Sequence, residues 1–193
     1  MGFKLPFDLD IIKQEDVMQN LELTILDFIQ NHMRSEIGDI LAPFISSLGN
    51  WGMIWIVLTV VLLLSKKHRK AGIYLALSLL FDLLLCNLCL KPLFARGRPF
   101  SVNESVQLLV KAPLDYSFPS GHTAASFASA AALFLAREKY WYIALILAVM
   151  IAFSRLYLYV HYPTDVLGGI VVGLLSAWLA GKLIAGLRKK RFT

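Results

Sequence analysis

The sequence predicts an all-α fold, a polytopic transmembrane helix bundle of about five spans with an N-terminal amphipathic interfacial helix. Three observations predict it. First, 58% of the 193 residues are hydrophobic and only 17% are charged, against about 45–50% apolar and about 25% charged in an ordinary soluble domain. Second, the mean hydropathy is +0.64, and the apolar residues gather into segments near the ~20 residues a spanning helix needs. Third, the basic residues cluster at alternate segment ends. A soluble globule of this length could not hide so much apolar surface in one core, and disordered chains are poor in hydrophobes. Two cysteines, Cys86 and Cys89, are too few for a disulfide scaffold.

Taken in order, residues 1–39 form an N-terminal segment apart from a transmembrane domain at 40–193. Asp16 could cap a helix in which Val17, Leu21, Ile25, Phe28 and Ile29 share a stripe, with Glu22, Asp27, Gln30 and Asn31 on other faces. Such a helix could lie along the membrane interface or against the rim of the bundle. It lacks the basic start and continuous apolar run of a secretory signal. The spans follow at Ile40–Ser65, Ala71–Leu90 (interrupted by Asp82), Ser120–Ala136, Trp141 to about Tyr159, and Val166 to about Leu187. The third is rich in Ala and Ser, and the fifth carries Gly168, Gly169 and Gly173; both compositions permit close helix packing. Trp51, Trp55, Tyr140, Trp141 and Tyr142 suit interfacial belts. Asp82 could serve as a relay or make a buried hydrogen bond, and Cys86 and Cys89 read as packing residues.

Charge then orients the bundle. Lys66, Lys67, Arg69 and Lys70 follow span one, Arg137 and Lys139 follow span three, and Arg188 to Arg191 follow span five. With five spans these clusters share one face, which the positive-inside rule makes cytoplasmic. The first 39 residues hold eight acids and three bases, net −5, and fall outside. The pI near 9.4 follows from this topology and requires no nucleic-acid partner.

Some charges are left over. Lys91, Arg98 and Arg155 sit at the outer ends of spans two and four. Each alone could snorkel to headgroups. Together, near His122 and His161 and with few carboxylates around them, they suit a bound anion, and the planar fork of arginine suits phosphate. In Pro119-Ser120-Gly121-His122, Ser120 can cap span three, and the N–H groups of that helix start form an anion site. Pro163 fits the first turn of span five, so Asp165 can reach back to one nitrogen of His161 and leave the other to attack. Arg96 reads as a secondary ligand.

Lys91, six residues and Arg98-Pro99; then Pro119-Ser120-Gly121-His122; then Ser154-Arg155, five residues, His161, three residues and Asp165 match the three signature motifs of the type-2 phosphatidic acid phosphatase superfamily. The chain resembles that family over about residues 40–187. The resemblance implies hydrolysis of a lipid phosphate or diphosphate through a phosphohistidine, with no metal and no other cofactor. It makes His161 the nucleophile, Asp165 its orienting carboxylate, and His122 the general acid and later base. Lys91, Arg98, Ser120, Gly121 and Arg155 would hold the phosphate oxygens, since phosphoryl transfer is chiefly positioning and charge stabilisation. Among small members, an undecaprenyl diphosphate phosphatase is favoured. A phosphatidylglycerophosphate or phosphatidic acid phosphatase, a lipid phosphotransferase and a non-catalytic binder or transporter are the alternatives. The expected setting is the cell membrane, with the bilayer and a lipid phosphate as partners, the site extracytoplasmic and the C-terminus cytoplasmic; the oligomeric state is not legible.

Overall fold

The computed structural model describes residues 9–190, whose regular structure is all helical, with no strand among them. The elements are α1 (Leu9–His32), α2 (Glu36–Leu48), α3 (Met53–Leu64) and α4 (Arg69–Asp82), which runs through a π-helical stretch (Leu83–Leu90) into α5 (Lys91–Phe94). The short α6 (Pro99–Val102) and the longer α7 (Gly121–Leu135), α8 (Trp141–Tyr157) and α9 (Pro163–Lys190) complete the chain.

The first predicted span is broken. Helices α2 and α3 meet at a 44° bend, where Trp51 (φ 55°) and Gly52 (φ 66°) adopt left-handed conformations. The stretches 69–102 and 163–187 are long and apolar enough to cross a bilayer, and the bent pair makes a third if it counts as one. Helices α7 and α8 have 15 and 17 residues, about 22 and 26 Å at 1.5 Å per residue, short of the ~30 Å hydrocarbon core.

Helix α7 is the central post. From Thr123 to Ala130 every residue is buried, and small side chains make this possible. A Cβ on Gly169 would lie 2.7 Å from the Ser120 carbonyl, and one on Gly173 would lie 2.8 Å from Ala128 N, so α9 packs with its backbone against α7. Ser126 and Ser129 return their hydroxyls to carbonyls one turn back, which satisfies polar groups that apolar surroundings would penalise. Trp55 is no belt residue. It is buried and donates its indole N–H to Ser126 Oγ at 3.0 Å. Asp82 is buried too, and its Oδ1 has no hydrogen-bond partner among the described residues. Cys86 is buried and Cys89 exposed, and neither is in a disulfide.

The two ends of the bundle differ. The turns after α3 and after α7 meet where His68 Nδ1 lies 2.9 Å from Glu138 Oε2, so the Lys66–Lys70 and Arg137–Lys139 clusters share one end. The opposite end collects α5, the starts of α7 and α9, and the end of α8.

Helix α1 begins at Leu9, so Asp16 lies inside it rather than capping it. Its polarity runs opposite to that of a helix on a soluble protein. Val17, Leu21, Ile25 and Phe28 are exposed, whereas Glu22, Leu26 and Ile29 are buried, so Ile29 belongs to the inward face. Gln30 donates to the Tyr157 carbonyl at 2.7 Å, and Asp27 accepts from the Tyr159 hydroxyl at 2.7 Å.

Candidate active site

Four stretches of chain converge at the end opposite the basic turns. The π-helical stretch has a wider turn than an α-helix, so it rotates the residues that follow. Pro92 cannot donate to the preceding turn, which closes the wide stretch at Lys91. Lys91 thereby points inward and is buried. A Cβ on Gly121 would lie 3.8 Å from Lys91 Nζ, so the first and second motifs touch. Ser120 holds the N-cap position of α7 without a side-chain cap bond. Its hydroxyl instead accepts from Thr123 Oγ1 at 3.0 Å, and its N–H donates to the Asp165 carbonyl at 3.0 Å. The second and third motifs are joined there.

The segment between α8 and α9 carries His161. Tyr159 has φ 59°, a left-handed conformation that costs a non-glycine residue about 1–2 kcal/mol. Its buried ring and the bond to Asp27 hold it, and the bend turns His161 inward to 1% exposure. Pro163 opens α9, and Asp165 Oδ2 accepts the Tyr162 N–H at 2.8 Å, the bond an acid two residues beyond the first helical residue makes in a capping box. The same oxygen lies 3.4 Å from His161 Nδ1 and accepts from Ser117 Oγ. One carboxylate thus caps the helix and faces the imidazole.

On the other side of the ring, Arg98 Nη1 approaches His161 Nε2 at 3.2 Å and donates to the Val160 carbonyl at 2.6 Å. A guanidinium can only donate, so Nε2 carries the lone pair and Nδ1 the proton. Burial, reinforced by Arg98, Arg155 and Lys91, holds the His161 imidazole well below its ordinary pKa, so the ring is neutral. Arg155 donates to Ser46 Oγ, while its buried Nε has no hydrogen-bond partner among the described residues. His122 Nε2 lies 2.9 Å from Asn50 Oδ1 in the break of the first span.

Asp115 is one carboxylate against the three cations Lys91, Arg98 and Arg155, so positive charge remains in excess. Asp115 bridges the cations: one oxygen pairs with Lys91, and the other lies 2.7 Å from Arg98 Nη2. Partial burial works against it, yet Lys91 and Arg98 hold the Asp115 carboxyl down at about 2. The expectation for Arg96 is corrected. Arg96 turns away from this cluster and binds Asp165 Oδ1 at 2.7 Å and Glu22 Oε2 at 2.5 Å. Sequence reasoning missed Asp115 and Ser117, although both lie within four residues of the Pro119 motif. It missed Asn50 and Glu22 for a different reason. They come from far along the chain and carry no motif.

Residues 71–188 match the PAP2 superfamily. The chain belongs to that superfamily. It is 37% identical over 141 residues, 72% of this chain, to a protein of Sulfolobus acidocaldarius named undecaprenyl-diphosphatase, and the match spans 66% of that protein. The crystal structure of Aquifex aeolicus LpxE superposes with a TM-score of 0.73 at 30% identity, covering 84% of this chain and 95% of that one. A transmembrane PAP2-type phosphatidylglycerolphosphate phosphatase from Bacillus subtilis superposes at 0.63 and 26% identity, covering 95% of this chain and 88% of that one. The all-helical bundle is therefore that of a multi-pass membrane protein.

Proposed function

We propose that this chain is an integral membrane lipid phosphatase acting at the extracytoplasmic face through a phosphohistidine, with undecaprenyl diphosphate as its favoured substrate. One observation carries the reading: a buried imidazole whose Nδ1 faces the Asp165 carboxylate and whose Nε2 lies 3.2 Å from the buried Arg98 guanidinium. An imidazole so arranged is an activated nucleophile, and the cations stand where a phosphate would take the attack.

In this reading Nε2 of His161 attacks phosphorus as the bond to the leaving oxygen breaks, and His122 gives a proton to that oxygen. Asp165 stabilises the cationic phosphohistidine. Water then attacks phosphorus, the N–P bond breaks, and His122 takes the water proton as inorganic phosphate departs. Lys91, Arg98 and Arg155, with Ser120 and the Gly121 N–H, hold the oxygens throughout. The unpartnered Nε of Arg155 supports this, because a buried guanidinium N–H calls for an acceptor. The charges around His161 are supplied by side chains, so the scheme needs no metal.

Five spans fit the topology if α2–α3, α7 and α8 each cross. The basic turns then lie in the cytoplasm, and α1 rests in the interface on the site's side, its exposed Val17, Leu21, Ile25 and Phe28 toward lipid. The Sulfolobus relative supports the diphosphate substrate, while the Bacillus structure supports phosphatidylglycerophosphate as the second choice. Phosphate release by purified protein from undecaprenyl diphosphate, phosphatidylglycerophosphate and phosphatidic acid, with a chelator present, separates them. We expect the diphosphate to be preferred, with activity insensitive to the chelator. His161→Ala should lose at least about a thousandfold in kcat, in the range seen when a nucleophile is removed. Retained turnover would exclude the phosphohistidine.

A further inference from the structure

Asp165 is fully buried, and its two oxygens do different work. Oδ2 accepts from Ser117 Oγ and the Tyr162 N–H and faces His161. Oδ1 points the other way, onto Arg96 Nη1 at 2.7 Å. Arg96 is itself half-buried. Its guanidinium lies over the Tyr162 ring, 4.0 Å from the centroid, and reaches Thr164 Oγ1 at 2.7 Å and Glu22 Oε2 at 2.5 Å. The other oxygen of Glu22 accepts the Thr164 N–H at 2.8 Å and its hydroxyl at 2.6 Å. Three charges of alternating sign thus run from α1 to the far side of the catalytic imidazole.

We propose that Glu22 and Arg96 are positioning residues for Asp165, so that helix α1, which none of the three motifs includes, sets the orientation and effective charge of the carboxylate behind His161. The inference rests on the reading of His161 as the nucleophile. A buried carboxylate needs its charge and lone pairs satisfied, and Arg96 serves the oxygen that nothing on the His161 side can reach. Arg96 also draws negative charge away from the imidazole, and Glu22 opposes that pull. Glu22 is 4% exposed, and α1 delivers it reproducibly because Gln19, Asp27 and Gln30 bond Tyr162, Tyr159 and Tyr157 on the same segment.

The two residues therefore act in opposite directions on one observable, the acid limb of the pH profile of kcat/KM, which reports protonation of His161 in the free enzyme. The charges facing the His161–Asp165 pair are Glu22 from α1, Lys91 from α5, Arg96 and Arg98 beyond it, and Asp115 from the loop before α7. His122 at the start of α7 and Arg155 near the end of α8 complete the set, with Tyr162 as the neighbouring titratable phenol. Glu22→Gln leaves Arg96 unopposed beside Asp165 and makes the imidazolium harder to form, so the limb moves to lower pH. Arg96→Gln frees Asp165 to stabilise the imidazolium, so the limb moves up. A charge at this range shifts a neighbour by about one pH unit.

The experiment measures full pH profiles of both variants in detergent micelles, with the lipid of the panel above that the unsubstituted protein cleaves best. The expected result is a limb displaced downward in E22Q and upward in R96Q, with kcat lowered on the order of tenfold in each and the normal midpoint restored in E22D. A smaller folded fraction scales the amplitude of a profile and leaves its midpoint in place, so partial misfolding cannot imitate the shift. Midpoints that stay put, or that move in the same direction, overturn the inference. His161→Ala run alongside isolates the other failure: turnover in that variant would overturn the nucleophile assignment itself.

Discussion

Asp115 is the residue with the most immediate consequence for ligand binding. Its carboxylate sits on Lys91 and on Arg98, the two cations a phosphate would also use. An incoming anion must therefore displace an internal one. Bonds to charged groups contribute about 1.5–3 kcal/mol each, so removing this competitor should tighten phosphate binding by on the order of tenfold. We expect Asp115→Asn to lower the inhibition constant of inorganic phosphate by about that factor. The carboxyl lies near 2, so it stays ionised at every working pH, and the gain should be the same at pH 5 and pH 8. An inhibition constant that is unchanged, or that improves only at high pH, would contradict this account.

Breaks and close approaches between helices set the second tier of behaviour. The interruption of the first span is where that span meets the site. A Cβ on Gly49 would lie 2.8 Å from His122 Cδ2 and 3.2 Å from Ile151 Cγ2, and Asn50 Oδ1 bonds His122. Gly49→Ala must therefore move the imidazole, and misplacement by about 1 Å can cost on the order of a hundredfold in rate. We expect kcat to fall while the melting temperature changes little; an unaltered kcat would show that His122 adapts. The seam between α7 and α9 behaves differently at Gly173, whose neighbours Ala124, Phe127 and Ala128 lie outside the site. A Cβ on Gly173 would overlap the α7 backbone, and overpacking costs about 1–3 kcal/mol. Gly173→Val should lower the melting temperature in detergent, and a melt equal to that of the unsubstituted protein would refute the tight seam.

Across the whole molecule the distribution of polarity is inverted. Ile146, Val57 and Val171 on the outer faces are exposed, while serines, Asp82 and the cationic site lie inside. Hydrocarbon imposes no penalty on the former, and buried polar groups must find partners among themselves. The two ends are chemically distinct, and the proposed topology puts the loop before α7 outside and the α7–α8 turn inside. Leu114 is 96% exposed. Leu114→Cys should react with a membrane-impermeant maleimide on intact cells, and Lys139→Cys should react only after lysis, each read against the unsubstituted chain. The opposite pattern would invert the topology.

The all-helical membrane class, the apolar segments after α1 and the three motifs were legible in the sequence, because each depends on local properties. Apolar runs count residues within one segment, and the spacing from His161 to Asp165 is one helical turn. The break at Trp51 and Gly52 was masked because no charge interrupts residues 40–65, although Gly49-Asn50 and Gly52 are turn signals there. The partners of the motif residues were not legible. Asp115, Asn50, Ser117 and Glu22 are single polar side chains whose importance depends on what lies across from them, and Trp55 left the predicted belt because Ser126 offered its N–H an acceptor. Helix α1 shows the division most clearly. Its periodicity predicted an amphipathic helix, and only the packing of Leu26 and Ile29 with the bonds of Gln19, Glu22, Asp27 and Gln30 decided that its polar side faces the site. Composition and spacing act along the chain, whereas the direction in which a charge is satisfied is fixed by tertiary packing.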